Sequence, residues 1–187
     1  MKTSFFFVAA FVAPLTIAAQ QPSATNPLVG AFKNSSTSYV NWLTAAFDSI
    51  PESKYSYKPT PAQLSIGYIA QHLENANYFL CALFSGQKYI MTAKDSLADS
   101  VKATWPKDTL SARLKASFAY CNDAFTKVTD AQLTDALPNG PPEAKRTILR
   151  ARYVMGYVTD LADHWSQIAI YMRLNGMIPP SALPRKP

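Results

Sequence analysis

The chain has 187 residues, 48% of them hydrophobic, with 18 lysines and arginines against 12 acidic residues and a formal net charge of +6. That length accommodates one ordinary domain, and so apolar a composition excludes a disordered tail protein. Two cysteines are too few for a disulfide-stapled scaffold, and the basic residues are scattered rather than gathered into a stripe, so no nucleic-acid partner is expected.

Met1-Lys2 is followed by an apolar run from Phe5 to Ala19, interrupted only by Pro14 and Thr16, and then by Gln20-Gln21. One positive charge, a short apolar core and a small-residue exit at Ala18-Ala19 predict a secretory signal peptide over residues 1–19. The run is shorter than the roughly 20 apolar residues of a membrane-spanning helix. Cleavage leaves a single domain, 20–187, exported to a periplasmic or extracellular setting and held by no membrane segment. Export would permit a disulfide between Cys81 and Cys121. Spacing alone does not say whether their Cα atoms approach closely enough, and two buried thiols packing as small hydrophobes is the expected state.

Along the rest of the chain the periodicity is helical. Asn26 followed by Pro27 is a cap and first-turn pair. Leu28, Phe32, Tyr39, Val40, Leu43, Phe47 and Ile50 then recur at three-to-four spacing until Pro51. Ser65 is placed to cap a second helix whose stripe is Ile66, Ile69, Leu73, Ala76 and Leu80. Residues 85–107 read as a long connection, so the second and third helices need not be simple antiparallel neighbours. Asp108 is the expected cap of a third helix bearing Leu110, Leu114, Phe118, Cys121 and Phe125. A turn at 138–142 precedes a fourth helix predicted from Glu143 to Asn175, with Leu149, Tyr153, Tyr157, Leu161, His164, Ile168 and Tyr171 on one face and Gly176 as its closing cap. No strand pair with hairpin chemistry is evident. Four amphipathic helices predict an all-α four-helix bundle.

The chemistry-bearing residues are few. His72 and His164 are the only histidines, and each lies on or beside an apolar stripe. Asp160 is four residues before His164, so both leave the helix on the same face. A buried carboxylate is costly unless it is paired or ligates a metal. Two imidazoles and a carboxylate suit a divalent transition metal with open positions. A salt bridge from Asp160 to Arg152 is the competing reading. Asp163 is a substitute ligand, and Glu74 and Asn75 lie close to His72. Tyr78, Trp165 and Tyr171 could line a pocket, but core packing is the expected role of aromatics at helical spacing.

Two stretches carry a family resemblance. They are Tyr57-Lys58-Pro59 through Ser65-Ile66-Gly67-Tyr68-Ile69-Ala70-Gln71-His72-Leu73, and His164-Trp165-Ser166-Gln167-Ile168-Ala169-Ile170-Tyr171-Met172-Arg173-Leu174-Asn175-Gly176 with Pro179-Pro180. In these the chain resembles the DinB/YfiT-like helical bundles. The second stretch is similar to that family's closing H-R-G-Q-I…Y-L-R…G…P-P pattern, with Trp165-Ser166 in place of the usual Arg-Gly. The resemblance implies a metal held by His72, matching the family's first ligand, and by His164, matching its last. Asp160 stands at the middle position, where the family usually has histidine, which implies a harder metal or an altered affinity. Zinc, nickel, manganese and iron are the ions implied, and pairing into a homodimer is the assembly implied.

The resemblance further implies an enzyme in which the metal activates a low-molecular-weight thiol or a water, acting on a small molecule whose identity the residues do not specify. Thiol transfer sits poorly with export, away from the cytoplasmic thiol pool. The alternative is a non-catalytic binding or dimerisation module that kept the bundle and lost the metal.

Overall fold

Four long helices make the fold: α1 (Pro27–Ser49), α2 (Ile66–Ser85), α4 (Lys107–Ala124) and α5 (Arg150–Leu174), with a single-turn helix α3 (Asp99–Lys102) inside the second connection. The computed structural model describes residues 26–184, so the predicted signal segment 1–19 lies outside the described residues. Among the described residues no helix is long and apolar enough to cross a membrane.

The bundle is the one expected, and cross-helix pairs give its topology. Glu74, Asn77 and Cys81 of α2 meet Arg113, Ser117 and Cys121 of α4 in the same order, so these neighbours run parallel. His72 meets Asp160 and the Leu64 carbonyl meets Tyr171, so α5 runs antiparallel to α2. Asp48 near the end of α1 pairs with Lys115 of α4, and α1 closes the ring between α4 and α5. A parallel pair cannot be joined by a tight turn, which is why the 86–106 connection is long. The core is Leu43, Phe47, Leu73, Phe84, Leu114, Leu161 and their neighbours, each fully or almost fully buried. Each such side chain contributes roughly 1.5–3 kcal/mol of transfer free energy.

Helix starts depart from the local expectation in an instructive way. Ser65 caps α2 as predicted, accepting from Tyr68 N at 3.2 Å. Asn26 does not cap its own helix. Asp130, a hundred residues on, accepts from Leu28 N at 2.9 Å and Val29 N at 2.8 Å, and Asn26 Oδ1 accepts from Asp130 N. Asp108 does not cap α4 either: the cap position is Pro106, Asp108 sits in the first turn, and Glu52 Oε1 accepts from Lys107 N at 3.3 Å. Leu28 is correspondingly exposed while Val29 takes the buried position. Gly67 is required by packing, since a Cβ there would collide with the Ala103 carbonyl oxygen where the second connection crosses the start of α2.

The fourth long helix starts at Arg150, not Glu143. Residues 136–149 instead form a small antiparallel hairpin, β1 (Ala136–Pro138) against β2 (Thr147–Leu149), in register Ala136 to Leu149 and Pro138 to Thr147. Pairing with β1 holds 147–149 extended, so Leu149 is an exposed cap residue rather than the first rung of the buried stripe. At the other end Gly176 closes the helix in the left-handed region, with φ 73°, as expected.

The cysteine expectation is corrected. Cys81 and Cys121 form a disulfide, with Cα atoms 5.3 Å apart, near the C-terminal ends of the parallel helices α2 and α4. Both cysteines are fully buried, as predicted, but parallel packing in matched register brings them within bonding reach.

Candidate metal centre

The α2–α5 seam gathers the three candidate ligands at one point. His72 projects from α2, and Asp160 and His164 leave α5 one turn apart. Asp160 Oδ1 lies 3.7 Å from His72 Nε2 and 3.6 Å from His164 Nε2. One donor atom from each of the three residues falls within 4.8 Å of the others. The imidazole rings approach edge to face, with centroids 4.7 Å apart. These donor separations exceed an ordinary N–H···O hydrogen bond of about 3.2 Å at most. They are close to the about 3.3 Å that separates ligand atoms held about 2.0 Å from a shared tetrahedral ion.

Burial and charge fit the same occupant. The side chains are 38%, 25% and 6% exposed for His72, Asp160 and His164, so the site opens to solvent on the His72 side. Asp160 Oδ2 and His164 Nδ1 are buried with no hydrogen-bond partner. A carboxylate oxygen left unpaired in the interior carries a desolvation cost that a bound cation would offset. Burial pushes the His164 pKa down, against the pull of Asp160, which favours the neutral ring with a free lone pair. The nearby Asp160 carboxylate pushes His72 up, with burial opposing it. The donor set and its unsatisfied atoms therefore fit a divalent ion.

The competing assignments resolve one by one. Asp160 pairs with the two histidines, not with Arg152. Asp163 is exposed and accepts from Gln167 Nε2 at 2.9 Å, outside the cluster. Glu74 faces the opposite seam, where Arg113 Nε donates to it at 3.0 Å. Asn75 donates to Asp99 Oδ1 at 3.2 Å. Trp165 is buried and stacks at a tilt on Trp42, and Tyr171 is buried with its hydroxyl donating to the Leu64 carbonyl, so both belong to the core. Tyr78 is half-buried and lines an open cleft on the outer side of α2.

Asp99 was not singled out by the sequence. It sits on α3, accepts from Asn75 and Lys102, and its charge reaches His72. Its place beside the site depends on the path of the second connection, which carries no periodic signal.

A family profile described as the DinB superfamily matches residues 41–168. No curated protein matches the chain. Among solved structures, a DinB-like protein from Bacillus cereus ATCC 10987 superimposes with TM-score 0.63 at 17% identity, over 82% of this chain and 97% of its own. A conserved protein from Enterococcus faecalis does so with TM-score 0.60 at 13% identity, over 79% and 96%. A mycothiol-dependent maleylpyruvate isomerase gives TM-score 0.59 at 11% identity, over 75% of this chain and 60% of its own. At these identities the structural likeness establishes the fold.

Proposed function

The chain belongs to the DinB superfamily, and from that premise we propose that it is an exported metal-dependent enzyme acting on a small molecule, with His72, Asp160 and His164 as the ligands. The observation that carries the reading is the convergence of two imidazole nitrogens on one carboxylate oxygen at 3.6 and 3.7 Å, beside buried polar atoms with no partner. A divalent ion bound there supplies Lewis acidity and lowers toward neutrality the pKa of a water or thiol that reaches its open position.

The protein's own residues do the rest. Asp160 sets the spacing of both rings and balances the charge of a cation. His164, kept neutral by burial, presents a lone pair from a fixed position on α5. His72, the most exposed of the three, forms the edge past which a substrate approaches. A superfamily neighbour in structure is mycothiol-dependent, which supports thiol activation as one chemistry. We favour water as the nucleophile, because the export reading removes the chain from a cytoplasmic thiol pool. The buried Cys81–Cys121 bond supports that reading, since such bonds persist in oxidising compartments. Mass determination of the protein from its native host should find a chain beginning at Gln20.

Thermal unfolding with added zinc, nickel, manganese or iron, and with chelator, tests the metal reading. An ion present at about 100 times its dissociation constant stabilises the fold by about 2.7 kcal/mol. Asp160→Asn should remove most of that gain. Unfolding curves that none of the four ions shifts would reject the reading.

A further inference from the structure

The outer side of α2 carries a cleft of about 740 Å³ that the metal centre does not use. Its floor is Tyr78, Phe79 and Leu83, and the second connection folds over it to contribute Tyr89, Met91 and Leu97. Asn75 and Phe79 lie three and seven residues beyond His72, so the cleft runs along the side of the helix from which His72 emerges. The volume falls in the range of small-molecule sites, roughly 300–1,000 Å³.

The walls specify the chemistry of an occupant. Tyr78 and Tyr89 stack face to face, with centroids 3.9 Å apart and planes 9° from parallel, making a rigid flat surface. Phe79 and Met91 are 62% and 61% exposed, an apolar cost gathered at one place rather than scattered. The charged groups at the inner end are already matched to one another. Lys102 Nζ pairs with Asp99 Oδ1 at 3.0 Å, and Asp95 accepts from Arg113 and from Thr92 Oγ1. Each of these charges already has a partner, Arg113 being shared between Asp95 and Glu74, so a charged body buried there would have to displace an existing pair.

We propose that this cleft holds the flat, uncharged, apolar body of the substrate, a single or fused aromatic ring in chemical class, with its polar end directed to the His72–Asp160–His164 site. The inference rests on the metal reading for the polar end only, and two probes separate the halves. 2-Naphthol carries a ring without a strong metal-binding head, and 2-naphthohydroxamic acid carries both. Calorimetric titration of 2-naphthol into the full protein should show saturable one-to-one binding that persists after chelator treatment. Phe79→Asp and Met91→Asp, both at exposed positions that leave the core intact, should each weaken it at least about tenfold, by setting a charge against the ring. Leu174→Asp, equally exposed on α5, should not change it. The hydroxamate should bind at least about tenfold tighter than naphthol in the zinc-supplemented protein, lose that gain on chelation, and be weakened by Phe79→Asp.

Absence of any hydroxamate gain in the zinc-supplemented protein, with naphthol binding intact, would reject the metal end and leave the cleft standing. Absence of saturable naphthol binding, or equal weakening by Leu174→Asp, would overturn the cleft. So would a hydroxamate gain that Phe79→Asp leaves untouched. A shift from dimer to monomer in Phe79→Asp with naphthol binding unchanged would assign the face to a second copy of the chain and equally overturn the proposal.

Discussion

α2 faces two seams, and they treat buried ionisable groups in opposite ways. Toward α4, every charge has a partner: Glu74 and Asp95 both engage Arg113, whose guanidinium also lies 5.0 Å from the centre of the Trp105 ring, and the Cys81–Cys121 bond ties the same pair of helices covalently. Toward α5, Asp160 Oδ2 and His164 Nδ1 are buried without partners, and the three donors stand too far apart to hydrogen-bond well. The α2–α4 seam leaves only the neutral Asn77 Oδ1 without a partner, whereas the α2–α5 seam leaves a carboxylate oxygen and an imidazole nitrogen. An unmet cost at a converging donor set is where a ligand belongs, and a fully matched network of comparable charge is where it does not.

The contrast can be broken from the sealed side first. Arg113→Ala would strand two buried carboxylates, and removal of one partner from such a network costs about 3–5 kcal/mol. Urea unfolding should place this variant at the upper end of that range while zinc binding per folded molecule is retained. Opening the disulfide by the double change Cys81→Ala and Cys121→Ala should cost about 4 kcal/mol, the chain-entropy value for a loop of about 40 residues. The candidate metal centre, which lies across α2 from that bond, should again bind normally once the protein is folded.

A smaller effect comes with acid. Burial pushes Asp95 up, but hydrogen bonds from Thr92 and Arg113 outweigh it and hold the carboxyl at about 2, below its ordinary 3.8. A carboxyl depressed in the fold contributes stability above its unfolded pKa that is lost as pH falls through the folded one. Urea midpoints should therefore drop between pH 4 and pH 2 by an amount equivalent to about 2 kcal/mol. The drop should be shallower in Asp95→Asn. Burial pushes Glu74 the other way, above its ordinary 4.5, so the stability its protonation returns is gained at higher pH, before this window opens.

How much of this was legible beforehand follows from the range of each interaction. Helices α1, α2, α4 and α5 announce themselves because burying one face imposes three-to-four spacing on Leu43, Phe47, Leu73, Leu114, Leu161 and Ile168. The clustering of the candidate ligands was legible for the same reason in reverse, since His164 and Asp160 are polar residues one turn apart on or beside an apolar stripe. The hairpin was not, because strands of three residues closed by a Pro-rich tip leave no alternation to read. The caps supplied by Asp130 and Glu52 were not, because each is made by a residue distant in the chain. The disulfide depended on the parallel register of α2 and α4, which the long connection allows but spacing does not specify. Asp95, Asp99 and Lys102 came to the second connection's ion network through that same path.

The central claim is that the open seam holds a metal, and elemental analysis of the untagged protein tests it most directly, beside His72→Ala and His164→Ala with helicity checked by circular dichroism. The account predicts about one divalent ion per folded chain in the wild type and almost none in either variant. A helical wild-type protein that takes up no ion after incubation with zinc, nickel, manganese and iron would contradict it.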